Sequence, residues 1–185
     1  MKSQIRVIAF DDGPFTFREK KDNVIAVICR LPAYIEGIDS FTVTVDGTDS
    51  TDYMIDVISN SKFKKSLNII MINGIAFAGF NIVDMDRLYR MTSIPVITVT
   101  RKNPDIDLMI SAIKKRFLDW EARASLIQNK KTYMIEHMNH KLWISCSGIE
   151  YDIARTIVIN SIYYGNYPEA LRIAHIIAGG VAKLH

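Results

Sequence analysis

The order of apolar runs in this 185-residue chain predicts an α/β fold, a mixed sheet flanked by helices. Short, β-branched and almost uninterrupted apolar runs such as NVIAVICRL, LNIIMIN and IPVITVT have the form of strands buried on both faces. Three strand-like runs precede the first segment with helical spacing. After it, strands and helices alternate, which points to parallel crossovers.

Taken in order, residues 4–10 read as a strand that ends at Asp11-Asp12-Gly13. Residues 23–31 form a second, continuous apolar strand, and residues 41–45 alternate as a third, punctuated by Asp46-Gly47. Tyr53, Met54, Val57 and Ile58 space a helix over 50–59. Residues 67–73 are a fourth strand, followed by the glycine-broken GIAFAGFN and a helix over 84–91. Residues 94–100 are a fifth strand. Met109, Ile113, Phe117, Trp120, Ala124 and Ile127 recur every three or four positions and predict one amphipathic helix from 105 to about 130. Lys114, Lys115 and Arg116 fall on its solvated side. Residues 141–147 are a last strand or hairpin arm, and helices over 151–164 and 168 to about 182 close the chain. Pro168 at the first position and Glu169 in the first turn suit a helix N-terminus. Three strands, a helix and then alternation is the order of the ribonuclease H-like fold.

Composition narrows the function classes. With 49% hydrophobic residues the chain is long enough for one domain, residues 1–185, with a sizeable core. No apolar stretch reaches the roughly 18 residues of a membrane helix, and no charged-then-apolar leader opens the chain, so a cytoplasmic protein without a membrane partner is expected. Cys29 and Cys146 lie in apolar runs without CxxC or Cys/His spacing, which argues against zinc and disulfides and for buried free thiols. The net charge of +3 is unevenly spread. Residues 1–60 carry 10 acids against 6 Lys and Arg, and residues 61–185 carry 17 Lys and Arg against 10 acids. An acidic cluster beside a basic surface suits metal-assisted phosphodiester chemistry, and ordinary solvated faces account for the same distribution.

Polar groups collect where strands end. Asp11 and Asp12 end the first strand, Asp46, Asp49 and Asp52 stand in VDGTDSTD, Asn73 ends the fourth strand, and His175 lies on the last helix. Phosphodiester hydrolysis at neutral pH needs a hard cation to neutralise the phosphoryl oxygens and activate water. Two or three aspartates suffice for magnesium, and a histidine at the rim can orient or deprotonate the water. Each residue also has a plainer role. Asp12-Gly13 and Asp46-Gly47 are turn formers, Asp49 or Ser50 is a helix cap, and a histidine on an apolar helix is often a satisfied core residue.

Five segments in order, FDDGPF at 10–15, VTVDGTDST at 43–51, NGIAFAGFNIVD at 73–84, IPVITVTRKNPD at 94–105 and PEALRIAHIIA at 168–178, resemble the archaeal endonuclease dU family, once a domain-of-unknown-function family and related to endonuclease V. The resemblance implies a ribonuclease H-like, endonuclease V-like fold. It also implies a magnesium-dependent nick, with manganese as an alternative cation, in DNA near deoxyuridine, deoxyinosine or another deaminated base. Endonuclease V carries its first metal-binding aspartate at the end of the first strand, which matches Asp11. Its second acid opens the first helix, where Asp49 is the nearest match and Asp46 the rival. Its third carboxylate follows the fourth strand in a V-D-G segment, where this chain reads I-N-G and places Asn73. Its late helical motif matches Pro168, Glu169, Arg172, Ala174 and His175.

On this reading Asp11 and Asp49 bind the metal, Asn73 or Asp46 completes the shell, and His175 positions water. Arg101 and Lys102, just after a strand in RKNPD, meet phosphates together with Arg172. Asp84 is an alternative carboxylate if its loop folds back. The aromatic wedge expected after the third strand is missing, since Tyr34 in LPAYIEG precedes that strand. Losing the anionic ligand at Asn73 weakens cation binding. The rival reading is therefore a nuclease-like module that binds nucleic acid or a protein partner without cutting. A third uses Phe77 and Phe80 as an exposed apolar contact surface, against glycines that let the segment pass close to the site.

Overall fold

The computed structural model describes residues 5–14 and 19–183. In chain order it contains β1 (Arg6–Asp12), β2 (Lys21–Arg30), β3 (Tyr34–Thr44), α1 (Ser50–Asn60), a 3-10 turn (Lys64–Ser66), β4 (Ile69–Asn73), β5 (Ala76–Phe77), β6 (Asn81–Ile82), α2 (Met85–Thr92), β7 (Val96–Thr100), α3 (Ile106–Arg116), α4 (Trp120–Ser125), β8 (Tyr133–His137), β9 (His140–Ser147), α5 (Tyr151–Asn160) and α6 (Glu169–Val181). The expected start of the first strand at residue 4 lies outside the described residues. Seven strands form one mixed sheet in the order β3-β2-β1-β4-β7-β9-β8, and β5 and β6 form a separate hairpin. β1, β4 and β7 run parallel, and the remaining pairs are antiparallel. This is the mixed, helix-flanked sheet that the element order predicted.

The uninterrupted apolar runs follow from burial on both faces. Side chains alternate across a strand, so Val7 and Ala9 of β1 join Val27 and Cys29 of β2 under α6, while Ile8 and Phe10 join Ala26 and Ile28 under Met54 and Ile58 of α1 and Leu88 of α2. Each fully buried Ile or Phe contributes about 1.5–3 kcal/mol relative to exposure. On α6, Ala170, Ala174 and Ala178 recur every four residues, so one small-residue stripe faces β1 and β2. Small side chains there let the helix lie close to the sheet.

The same alternation governs the two aspartates that follow the run. Asp11 continues the Val7-Ala9 side and meets α6, whereas Asp12 continues the Ile8-Phe10 side and meets the β5–β6 hairpin. The expectation that Asp12 forms a turn with Gly13 is corrected: Asp12 is the last strand residue, and its Oδ2 accepts from the Ala78 backbone N–H at 2.7 Å.

Four further expectations are revised. The helix over 105 to about 130 is two helices, because Phe117 is extended (φ −125°, ψ 137°) and leaves α3 to lie edge-on against Phe80 at 5.8 Å. The stripe still converges on one cluster, with Ile113 and Ile127 buried and Met109, Phe117 and Trp120 packed around them. The third strand begins at Tyr34, well before 41, and pairs with all of β2. The last strand, β9, runs antiparallel to β7 and pairs with β8, so the parallel crossovers stop at β7. The apolar surface proposed for GIAFAGF is absent, since Phe77 is fully buried and Phe80 packs against Phe117.

Cys29 is buried and Cys146 half-buried, both as free thiols, and burial raises both thiol pKa values. No helix among the described residues is long and apolar enough to cross a membrane.

Candidate active site at the ends of the central strands

β1 and β4 pair in parallel with Phe10 opposite Ile72, so the next residues, Asp11 and Asn73, stand side by side at the carboxyl ends of the strands. The Asn73 Nδ2 donates to Asp11 Oδ2 at 2.8 Å. His175 reaches the same oxygen from α6, its Nδ1 at 3.0 Å. The Asp12 backbone N–H donates to Asp11 Oδ1 at 3.0 Å. Asp11 is therefore held from three directions although 1% exposed, while the His175 side chain is 60% exposed. Burial pushes the Asp11 carboxyl up to about 6, an effect that the Asn73 hydrogen bond opposes and the Asp12 charge reinforces. Burial also raises the Asp12 carboxyl.

A residue that sequence reasoning missed supports Asn73. Tyr167 is buried just before α6, and its hydroxyl lies 2.6 Å from Asn73 Oδ1 and 2.8 Å from the Val99 carbonyl. One hydroxyl proton faces two acceptors. If the Asn73 amide turns over, its Nδ2 donates to the tyrosine oxygen and the hydroxyl donates to Val99, while Oδ1 then faces the Asp11 carboxylate and needs a cation or a proton there. Burial raises the Tyr167 pKa, which keeps the hydroxyl protonated. The available signal was an aromatic residue directly ahead of a Pro-Glu helix start, since a buried tyrosine needs a partner for its hydroxyl.

Asp11, Asp12, Asn73 and His175 line a cleft of about 560 Å³ completed by Gly13, Pro14, Gly179 and Lys183. Asp49 and Asp46 do not line it. Thr44 donates to Asp49 through its backbone N–H and, at 2.7 Å, its hydroxyl, and Asn81 Nδ2 donates at 2.6 Å. Burial pushes the Asp49 carboxyl up, but these donors outweigh it and leave its pKa below the ordinary value. The turn depends on Gly47, where a Cβ would stand 2.7 Å from Thr44 Cβ. Asp46 accepts from the Phe80 N–H at 2.9 Å and pairs with Arg116 at 2.9 Å. Asp84 caps α2, accepting from the Arg87 N–H. The geometry thus gathers Asp11, Asn73 and His175 and leaves Asp46, Asp49 and Asp84 in turns and caps.

Of the basic residues, Arg101 lies 3.8 Å over the Tyr167 ring, Lys102 is exposed with its carbonyl accepting from Thr100 Oγ1, and Arg172 pairs with Glu169 at 2.6 Å. A second cavity, of about 280 Å³, opens at Gly74 beside Asn73. Ile75, Met109 and Trp143 give it apolar walls, and Thr98, Thr100 and Ser145 supply hydroxyls.

Among the described residues no group of three or more His, Cys, Asp and Glu side chains is arranged to hold a metal ion. A hard divalent cation that keeps several waters would find Asp11 as its anionic ligand here, and the Asn73 amide oxygen only if that amide were turned.

The model of the family described as Endonuclease dU matches residues 3–182. A UPF0215 protein of Pyrococcus horikoshii is 43% identical over 183 residues, covering 98% of this chain and 94% of the relative. A crystal structure of a protein of unknown function from Archaeoglobus fulgidus superposes with a TM-score of 0.86 at 31% identity, covering 96% of this chain and 98% of that one. Endonuclease V of Ciona intestinalis, in complex with a 24mer DNA containing an inosine followed by a ribo-adenosine, superposes with a TM-score of 0.63 at 13% identity, covering 98% and 88%.

Proposed function

This chain belongs to the endonuclease dU family, and from that premise we propose that it is a divalent-metal-dependent endonuclease that nicks DNA near deaminated bases such as deoxyuridine and deoxyinosine, in DNA repair. The observation that carries the reading is the contact of Asp11 with both Asn73 and His175 at the ends of the parallel strands. The fold shared with endonuclease V, whose Ciona relative is seen on inosine-containing DNA, supports the substrate class.

Magnesium or manganese, when bound, supplies charge neutralisation at the phosphoryl oxygens and acidifies water. Asp11 would contribute the anionic oxygen to such an ion. Asn73 would contribute its amide oxygen if turned, with Tyr167 taking up the freed Nδ2. With Nδ1 on Asp11, His175 uses Nε2 to orient the attacking water and accept its proton. Asp46 and Asp49 act through the loops they hold. Arg101 and Lys102 meet backbone phosphates, and Arg172, tied to Glu169, contributes less. The cavity at Gly74 accepts one flipped base, its apolar walls stacking and its few hydroxyls reading the edge.

Asn73 favours a second reading, a module that binds nucleic acid without cutting, because it is neutral and its oxygen already faces Tyr167. Incubation of uracil- and hypoxanthine-containing oligonucleotides with magnesium or manganese separates the two. Nicking by the parent that Asp11→Ala abolishes supports the nuclease. An inactive parent with an active Asn73→Asp variant supports the binding module.

A further inference from the structure

A patch beside the cleft remains unused by this chemistry. The loop from α5 to α6 exposes two consecutive aromatics, Tyr163 (54%) and Tyr164 (69%), with ring centroids 4.6 Å apart at 74°. Exposed side-by-side tyrosines offer flat apolar faces with polar tips, on which bases stack. The loop is anchored at both ends, by the buried Ser161 and by the buried Tyr167. Tyr164 is three residues from Tyr167, so the two Cα atoms are at most about 11 Å apart.

Asn166, two residues past Tyr164 and so within about 7 Å of it between Cα atoms, lines a polar hollow of about 360 Å³ together with Arg101, Asn139, His140, Lys141, Leu142 and Trp143. The hollow has no acidic lining residue. Asn166 Nδ2 lies 3.2 Å from His140 Nδ1; as its donor it leaves the imidazole proton on Nε2. The hollow is thus furnished with donors for an anion. Arg101 connects it to the cleft, because the ring beneath its guanidinium carries the hydroxyl that touches Asn73.

We propose that this ledge is a second subsite, for one unpaired nucleotide of the strand engaged at Asp11: Arg101, His140 and Lys141 take its phosphate, and the Tyr163-Tyr164 pair stacks on its base. The inference rests on the nucleic-acid reading above and extends it to a preference for locally unpaired strands. Stacking tolerates any base, so the ledge contributes affinity and strand type, while the cavity at Gly74 reads the base. Charge on the hollow and aromatic area on the loop match a nucleotide's two halves.

The test is equilibrium binding of fluorescent single-stranded and duplex oligonucleotides by anisotropy in EDTA, with nicking followed separately in magnesium. The parent is expected to bind single strands more tightly than duplex. Tyr163→Ala/Tyr164→Ala should weaken single-strand binding by about five- to a hundredfold, the range of one lost base stack. Tyr163→Phe/Tyr164→Phe should restore it, and Tyr163→Leu/Tyr164→Leu should not. Lys141→Ala should lower the salt slope by about one. Tyr34→Ala, at an exposed tyrosine on β3 at the opposite edge of the sheet, should leave binding unchanged. Parent-like affinity in the alanine double variant overturns the ledge, and if that variant also nicks, the nuclease reading stands. Tyrosine-dependent binding without nicking by the parent keeps the ledge and removes the nuclease reading. A parent that binds no oligonucleotide removes both.

Discussion

His175 Nδ1 lies 3.0 Å from Asp11 Oδ2 across a sequence separation of 164 residues. The contact joins the first strand of the sheet to its last helix, and it sets a buried acid against an exposed base.

Asp11 is predicted to lower stability where it serves function. Its carboxyl titrates near 6 in the fold against an ordinary 3.8. The folded state therefore holds an extra proton between those values, and metal-free stability falls as pH rises through that window, then levels above it. Asp11→Asn removes this dependence. At pH 7.5 it should raise the melting temperature by several degrees, a gain on the order of 1–3 kcal/mol, while abolishing nicking. An unchanged melting temperature between pH 4 and 7 in the parent would contradict it.

Asn73→Asp places a second carboxylate beside Asp11. Without cation the like charges repel, and the variant should melt below the parent at pH 7.5. Millimolar magnesium or manganese should raise its melting temperature more than the parent's, because a ligand that binds only the folded state stabilises it. Thermal scans with and without EDTA read this directly.

Tyr167→Phe strips the hydroxyl from between Asn73 Oδ1 and the Val99 carbonyl. The one hydroxyl proton is lost to whichever acceptor it serves, while the Val99 carbonyl keeps the Gly74 N–H at 3.0 Å, so the cost in urea denaturation is about 1 kcal/mol. If the hydroxyl also lets the amide turn, the variant needs more cation for half-maximal nicking, a shift that a purely structural loss does not produce.

Asp49→Ala separates a turn residue from a metal ligand. It removes the acceptor shared by Thr44 and Asn81, and stability should fall by about 1–2 kcal/mol. The cation concentration for half-maximal nicking should stay at the parent's value, and a marked rise would return Asp49 to the metal site.

Asp22 is 7% exposed, with Oδ2 lacking a hydrogen-bond partner. Burial, reinforced by Asp12 and Glu19, pushes its carboxyl up to about 6. The sign is the same as for Asp11: stability falls as pH rises from about 4 through 6. Asp22→Asn should flatten its share of that fall and gain about 1 kcal/mol at pH 7.5.

Sequence reading succeeded where both faces of a strand are covered, as in β1, β2, β4 and β7, because continuous apolar runs leave little ambiguity. It missed β8, whose Met134 and Glu136 face solvent, and the two-residue strands β5 and β6, which are too short to show a period. The break at Phe117 was invisible because the apolar stripe continues across it. Asp11, Asn73 and His175 were legible as candidates at strand and helix positions. Asp49 stands apart from that cleft, held by Asn81 from 32 residues away, and no local pattern announces that pairing.

The parity of β1 makes the protein unevenly tolerant of genetic change. Substituting one aliphatic residue for another in VIAF alters packing but not which aspartate meets α6. Deleting a single codon there turns every later side chain over, so Asp12 would confront His175 and Asp11 would enter the buried place of Phe10. A scan of one-residue deletions and insertions through residues 7–10 should therefore eliminate function at every position, while conservative substitutions at the same positions survive. The frame of the strand, counted in single residues, is as much a part of the site as the carboxylate it delivers.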